Sequence, residues 1–174
     1  MIHMASMMEG LNAQLAEADF QKTGQHWNIT IDTNHIVAVA ERLYNSGFFL
    51  EDLCAIDAEE GYQIVYHFSS WNESTRITAR LLVPHERPEV PSISSIFSGA
   101  SWHERECFDF HGVIFTGHPD LKPLLLPEDA DFHPLRKVAE ARRSLEKLFP
   151  LPPKPGADQS ASAKGQNKSE GSEG

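Results

Sequence analysis

Alternation of apolar and polar residues over 62–83 is the feature that most constrains what this chain can fold into. Two stretches, 62–69 and 75–83, place large apolar side chains at every second position. Because successive side chains of a β-strand point to opposite faces, this period predicts two strands that each bury one face. The residues predicted to face the core are Tyr62, Ile64, Tyr66 and Phe68 in the first strand and Ile77, Ala79, Leu81 and Val83 in the second.

A third strand is predicted at 48–57, and short polar connections join the three. Because connections this short join antiparallel neighbours, the strands are expected to form an antiparallel meander. Upstream, a short strand is predicted at 27–31 and a helix at 35–45. The helix is indicated by four apolar residues at helical spacing, Ile36, Val39, Ala40 and Leu43.

The polar face of the alternating strands places the helices on one side of the sheet only. We therefore predict an α+β fold: a two-layer domain with an antiparallel, mainly three- to four-stranded sheet and helices on one face, followed by an extended C-terminal arm. The predicted segments are 1–26, partly helical with a helix at 9–20; 27–112, the α+β domain; 113–137, an extended interface arm; 138–149, a basic helical segment; and 150–174, a disordered tail poor in large apolar residues.

Charge and cysteine content argue against several classes of function. The 174 residues include 15 Lys and Arg against 25 Asp and Glu, a net charge of −10, so the chain lacks the basic face that nucleic acid requires. Its two cysteines, Cys54 and Cys107, form no Cys-x-x-Cys pair, so neither a cysteine zinc site nor an iron–sulfur cluster is predicted. With no apolar run of about 20 residues and no signal-peptide pattern, we expect a cytoplasmic protein.

A second helix is predicted at 102–111, beginning at the sequence SWHE. This Ser-x-x-Glu pattern is typical of a capping box, in which the Ser101 hydroxyl and the Glu104 carboxylate each bind a backbone N–H. Gly112 is predicted to end the helix in the left-handed conformation. A shorter helix is expected just upstream, at 91–98.

Side-chain spacing on the second helix predicts one ion pair and raises one metal-site alternative. Arg105 and Asp109 are one turn apart and are expected to pair. His103, Cys107 and His111 are four residues apart, so a stand-alone metalloprotein is an alternative function, with His118 and His133 nearby in the sequence. Structural histidines are favoured, because the spacing matches no compact motif such as His-Glu-x-x-His.

Acid–base catalysis by Glu104, Glu106 and Asp109 is a further alternative. A catalytic site needs a nucleophile, a base and an orienting group together, and no nucleophile motif accompanies these carboxylates. We therefore predict no catalytic, cofactor-binding or metal-binding residue in this chain. Five of the basic residues lie between Arg136 and Lys147, so a protein adaptor with salt-sensitive binding is the remaining alternative.

The predicted arm carries two apolar triplets, one at 113–115 and one at 124–126, separated by glycine and prolines. A surface segment does not expose six large apolar side chains unless something covers them. Proline also restricts the unbound backbone, so less entropy is lost when such a segment binds. The arm is therefore predicted to be a protein interface.

The sequence from 104 to 137 resembles the signature of the thirty-kilodalton, or C-type, subunit family of respiratory complex I. The family is shared with the homologous subunit of energy-converting nickel–iron hydrogenases, and the resemblance extends over about 27–137. The residues that carry it, and that it implies for the partner interface, are Glu104, Arg105, Glu106, Asp109, Gly112, Gly117, His118, Pro119, Asp120, Leu121, Leu124, Leu125, Pro127, Glu128, Asp129, His133, Pro134, Leu135, Arg136 and Lys137.

The resemblance implies a non-catalytic structural subunit in the hydrophilic arm of a membrane-bound NADH:quinone oxidoreductase or a related hydrogenase. Its expected partners are the large hydrogenase-like subunit, which is the D-type subunit of complex I, and iron–sulfur subunits. The chain itself would hold no cofactor; flavin, iron–sulfur clusters or a nickel–iron centre would lie in the partners. Membrane association would come only through the complex, on the cytoplasmic face of the inner membrane.

Two departures from the complex I pattern favour the hydrogenase type of assembly. The pattern has a large apolar or aromatic residue where this chain has His111. The chain also continues after Lys137 into a predicted basic helix instead of the extended end implied for quinone-reducing members. NADH:quinone oxidoreductase remains the alternative assembly.

Overall fold

A computed structural model of the chain describes residues 4–148. It has an α+β fold whose main sheet contains five strands in the order β1-β2-β5-β4-β3. All neighbours in this sheet are antiparallel except β2 and β5, which are parallel. The strands are β1 Ala13–Glu17, β2 Trp27–Ile31, β3 Phe48–Ala58, β4 Gly61–Ser70, β5 Arg76–Val83, β6 Glu89–Pro91 and β7 Ile114–Thr116; the helices are α1 Met4–Met7, α2 Phe20–Thr23, α3 Ile36–Asn45, α4 Ala100–His111 and α5 Leu145–Leu148.

The predicted meander and the helix before it are confirmed. The strands β3, β4 and β5 pair in sequence with short connections, and their predicted inward residues form the core. Helix α3 buries the four apolar residues that predicted it, because they share one face. Phe97 contacts both Tyr44 of α3 and Phe68 of β4, so α3 packs over the inward face of β4.

The helix predicted at 9–20 is wrong. Residues Ala13–Glu17 form β1, which pairs with β2 along its whole length, and only Phe20–Thr23 is helical. Ala13 and Leu15 pack against the core at every second position, a strand period that the sequence pattern did not distinguish from a helical one. The sheet is therefore one strand wider than predicted, and the domain begins before residue 27.

The helix predicted at 91–98 is also wrong. Pro91 ends β6, which pairs in parallel with β7, and the chain then makes turns instead of a helix. Ile93 and Phe97 are nevertheless buried in the core, and Ile96 packs against it partly buried. Ile93 and Phe97 are four residues apart, a spacing that also fits a helix. Pairing of residues 89–91 with residues 114–116 instead keeps the start of this segment extended.

The single basic helix predicted at 138–149 is replaced by two short elements, a 3-10 turn at Ala139–Ala141 and α5. Residue 149 and the predicted disordered tail at 150–174 lie outside the described residues, as do 1–3. Within the described chain, no helix combines the length and the apolarity that crossing a lipid bilayer demands.

Candidate protein interface

Helix α4 begins earlier than predicted, and this changes the role of its first polar residues. The residue before the helix is Gly99, no side chain caps the helix N-terminus, and Ser101 lies inside the first turn. The capping box predicted for Ser101 and Glu104 is therefore wrong. Glu104 lies in the second turn, on the face of α4 that also buries Ala100 and Cys107, and its side chain is fully buried.

Glu104 joins α4 to the segment that follows β6. Its two carboxylate oxygens accept hydrogen bonds from the Ser92 hydroxyl at 2.5 Å and from the Ile93 N–H at 2.8 Å. Burial raises the pKa of Glu104 from 4.5 to about 7, although both hydrogen bonds act in the opposite direction. Glu104 thus positions a loop instead of facing a partner.

His118 holds the turn after β7 against the same helix. Its Nδ1 accepts the Asp120 N–H at 3.0 Å, so the hydrogen lies on Nε2, which is 3.0 Å from the Ser101 hydroxyl and 3.2 Å from the Ser101 carbonyl oxygen. His118 Nε2 is also 4.0 Å from Glu104, and both side chains are fully buried. Two signature residues therefore meet inside the domain.

Arg105 and Asp109 do not form the predicted ion pair; each instead binds the arm. Arg105 donates from Nε to the Lys122 carbonyl and from Nη2 to the Pro123 carbonyl, at 3.1 and 2.8 Å. One oxygen of Asp109 accepts the next three backbone N–H groups, those of residues 124–126, at 2.8 to 3.0 Å. Side chains one turn apart on α4 thus satisfy one backbone polar group in each of five consecutive residues, 122–126.

The carboxyl group of Asp109 is ionised by its contacts. Burial acts to raise its pKa, but the three N–H donors outweigh that effect and the pKa lies below its ordinary value. His133 crosses the end of the same helix, donating from Nδ1 to the Asp109 carbonyl oxygen at 2.8 Å. Gly112 ends α4 in the left-handed conformation, with φ of 75°, as predicted.

Asp57, at the end of β3, anchors the last part of the arm. Its side chain is fully buried and contacts the Lys137 N–H at 2.8 Å, His85 Nε2 at 2.8 Å and Arg142 Nε at 2.9 Å. Burial acts to raise the pKa of Asp57, but the hydrogen bonds from Lys137 and His85 and the positive charge of Arg142 outweigh it and lower the pKa. Nearby, Arg136 donates from Nε to the Tyr62 hydroxyl at 2.8 Å.

These contacts divide the signature residues into two groups. Glu104 and Asp109 are buried, while the partly buried residues are Arg105, Gly112, His118, Leu121, Leu124 and His133. The exposed residues are Glu106, Gly117, Pro119, Asp120, Leu125, Pro127, Glu128, Asp129, Pro134, Leu135, Arg136 and Lys137. Contacts of Arg105, Asp109, His133, Arg136 and Lys137 hold the arm to the domain, and the exposed group offers the surface that a partner can reach.

We call five exposed apolar side chains on α4, on the arm and at the residue after it the arm surface: Trp102, Leu125, Phe132, Leu135 and Val138. Leu125 is 74% exposed although its backbone N–H is bound by Asp109. Trp102 is 64% exposed, and the guanidinium carbon of Arg105 lies 5.5 Å from the centre of the Trp102 ring. The backbone N–H groups of Leu125 and Leu135 are bound to α4 while their side chains are exposed, an arrangement suited to protein binding.

Sequence reasoning missed several of these positions. The anchors Asp57 and Tyr62 lie far from the arm in sequence, and no local pattern links them to it. Phe132 is an apolar residue between Asp131 and His133, a local signal of an exposed apolar side chain, whereas Val138 has no such signal. Conversely, Val113 and Phe115 belong to the core and not to the predicted interface: Phe115 lies in β7 opposite Val90 of β6, and Val113 is buried just before that strand.

The metal alternative receives no geometric support. Across residues 4–148, no three His, Cys, Asp or Glu side chains are close enough together to hold one metal ion. Cys107 and His111 are instead part of the packed interior, where burial raises the pKa of the Cys107 thiol and lowers the pKa of His111.

Comparison with known sequences identifies the family. Residues 29–144 match the family described as respiratory-chain NADH dehydrogenase, 30 Kd subunit. The chain belongs to this family. The resemblance inferred from the signature is thereby confirmed, and the matched region contains most of the sheet, α4 and the arm.

Curated relatives of this member of the 30 Kd subunit family are C-type subunits of NADH-quinone oxidoreductase. The one from Roseiflexus sp. (strain RS-1) is 47% identical over 92 residues, 51% of this chain and 53% of the relative. The one from Xanthobacter autotrophicus is 38% identical over 73% of this chain and 65% of its own length. The one from Herpetosiphon aurantiacus is 31% identical over 79% of this chain and 84% of its own length. The chain thus spans about half the length of the Roseiflexus relative.

Solved structures share the fold of this family member. A trypsin-resistant fragment of Nqo5 matches with a TM-score of 0.53 and 24% identity, over 63% of this chain and 89% of the fragment. A chain from the membrane-bound sulfane sulfur reductase, an archaeal respiratory membrane complex, matches with a TM-score of 0.63 and 18% identity, over 90% of this chain and 94% of its own length. The fold therefore occurs in a second type of respiratory complex.

Proposed function

We propose that this chain is a non-catalytic structural subunit of a membrane-bound NADH:quinone oxidoreductase of the complex I type, or of a related energy-converting hydrogenase. It docks through the arm surface on the large hydrogenase-like subunit, which is the D-type subunit of complex I. Electrons pass through flavin, iron–sulfur clusters or a nickel–iron centre held by other subunits. The chain reaches the cytoplasmic face of the inner membrane only through these partners.

The observation that carries this proposal is the arm surface on a member of the 30 Kd subunit family. Its backbone is bound by Arg105, Asp109 and Asp57, so the exposed apolar side chains are held in place before any partner arrives. A binding segment that is already ordered loses less entropy on association. The relatives from NADH-quinone oxidoreductase support the choice of complex.

Affinity purification of the full, tagged chain from its native host under mild detergent tests the proposal. We expect a hydrogenase-like large subunit and iron–sulfur subunits to copurify in stoichiometric amounts. Recovery of the chain as a monomer without these subunits contradicts it. The cysteines of the recovered large subunit then decide between the two assemblies, because a nickel–iron centre requires thiolate ligands.

A further inference from the structure

The carboxylate of Glu104 is buried without a cationic partner. Its side chain has no exposed surface, and it accepts hydrogen bonds from the Ser92 hydroxyl and the Ile93 N–H. Over residues 4–148, neither lysine nor arginine forms an ion pair with it, and His118 lies 4.0 Å away with its Nε2–H directed to Ser101. Burying an ionised carboxylate without a counter-charge is costly, so this site favours the protonated acid.

A chain of hydroxyl groups leads away from this carboxylate. Glu104 Oε2 is 2.5 Å from Ser92 Oγ, and Ser92 Oγ is 2.7 Å from Ser94 Oγ. Ser92 and Ser94 are both partly exposed, whereas Glu104 is not, so the two hydroxyls lie between the carboxylate and solvent. Because either hydroxyl oxygen can donate or accept, the chain can reverse its direction without losing a hydrogen bond.

We propose that Glu104 is a proton-binding site that exchanges its proton with solvent through Ser92 and Ser94. When Glu104 is protonated, its O–H donates to Ser92 Oγ, and the Ser92 O–H donates to Ser94 Oγ. On release, Glu104 gives its proton to Ser92 Oγ, Ser92 gives its own to Ser94 Oγ, and Ser94 gives one to solvent. Both hydroxyls end unchanged, and the carboxylate then accepts from Ser92 O–H.

Three other titratable side chains face Glu104. His118 faces it from the turn after β7, Tyr66 from β4, and Cys107 from the next turn of α4. Burial and the charge of Glu104 both raise the pKa of Tyr66 and of Cys107, so these two remain protonated when Glu104 ionises. Burial of Glu104 itself raises its pKa to about 7, near the pH of a cytoplasm.

The expected pH dependence follows from the direction of this shift. Because the pKa of Glu104 is higher in the folded chain than its ordinary value of 4.5, folding favours the protonated form. Its stabilising effect is complete below about pH 4.5 and is lost as the pH rises through about 7. Between pH 5 and 8 this one group should raise the unfolding equilibrium constant on the order of 50-fold.

Urea unfolding of the full chain from pH 5 to 8 tests the proposal with the variant Glu104→Gln, which resembles the protonated acid. The variant should lose this part of the pH dependence. The control Glu106→Gln, which removes an exposed carboxyl group from the same helix, should keep it. An identical pH dependence in the wild type and Glu104→Gln overturns the proposal.

If Glu104→Gln fails to fold, carbon-13 NMR titration of the Glu104 carboxyl group in the wild-type chain measures the pKa of this group directly. A midpoint near 7 supports the proposal, and a midpoint below about 5 overturns it. Ser92→Ala should raise the midpoint, because it removes a hydrogen bond to the ionised form. Ser94→Ala should leave the midpoint in place and slow proton exchange; an unchanged exchange rate overturns the role of the hydroxyl chain.

Discussion

At the scale of single residues, the Asp109 carboxylate accepts three hydrogen bonds, whereas the sequence predicted only an ion pair with Arg105. One carboxylate oxygen accepts three consecutive N–H groups, so its charge fixes the conformation of residues 124–126. Hydrogen bonds to a charged acceptor are stronger than those to a neutral one. Asp109 is therefore expected to be a principal determinant of where Leu125 points.

Asp109→Asn should lower the free energy of unfolding by about 1–3 kcal/mol at pH 7. Because the pKa of Asp109 is lowered in the folded chain, its contribution is present above the unfolded-state pKa and is lost as the pH falls through the folded-state pKa. The difference between wild type and variant, measured by urea unfolding, should therefore shrink in acid. Asp120→Asn, at an exposed carboxylate, is the control; an equal loss in both variants would contradict the prediction.

Gly112 was predicted only to end α4, but in the structure it also leaves room for the side chain of His133. Both Gly112 and Gly117 have positive φ, of 75° and 84°, so a side chain is strained at either position. A Cβ at Gly112 would also lie 2.7 Å from Nε2 of His133, whereas a Cβ at Gly117 meets nothing within 4 Å. Comparing substitutions at the two glycines therefore distinguishes the cost of backbone strain, which both share, from the cost of the clash with His133, which only Gly112 has.

We expect Gly117→Ala to cost about 1–2 kcal/mol from strain alone, and Gly112→Ala to cost more because the His133 ring must also move. Thermal and urea unfolding of both variants measure the difference. Equal losses would mean that the His133 contact contributes nothing to stability.

At the scale of elements, the sequence predicted correctly those helices and strands whose conformation depends on their own residues. Helix α3 and strands β4 and β5 have a clear period over eight or more residues, and the predicted bounds of these elements and of β3 agree with the structure to within one or two residues. The short strands β1, β6 and β7 depend on partners distant in sequence. The position of Glu104 near the start of α4 likewise depends on where the helix begins, which the Ser-x-x-Glu pattern misplaced.

Arg105 offers a test of how the arm is attached to α4. Arg105→Ala removes the donors to the carbonyls of residues 122 and 123, which should loosen the segment that follows. Amide hydrogen exchange of residues 124–126 should become roughly tenfold faster while the sheet is unaffected. Arg87→Ala, which breaks only an exposed ion pair with Glu89, should change neither. Unchanged exchange in Arg105→Ala would show that Asp109 alone holds the segment.

At the scale of the whole molecule, the arm is a continuation of the fold and not an appendage. Part of its apolar content is core, and acidic side chains of the domain, including Asp57, Glu60 and Asp109, bind the backbone of the arm and of the residues after it. The sequence predicted an interface here because the arm contains too many apolar residues for a loop. It could not separate Phe115, which is buried, from Leu125, which is exposed, because only the pairing of β7 with β6 makes that distinction.

Two tryptophans of similar exposure allow the central claim to be tested within one chain. Trp102 belongs to the arm surface and is 64% exposed, and Trp71 lies on the β4–β5 connection and is 75% exposed. The most direct measurement is the amount of hydrogenase-like large subunit that copurifies with full-length Trp102→Ala, Leu125→Asp and Trp71→Ala chains. The proposal predicts at least a roughly tenfold loss for the first two and wild-type recovery for Trp71→Ala, because removing a buried interface anchor costs about 2 kcal/mol or more. Undiminished recovery with Trp102→Ala and Leu125→Asp would contradict the arm surface as the docking site.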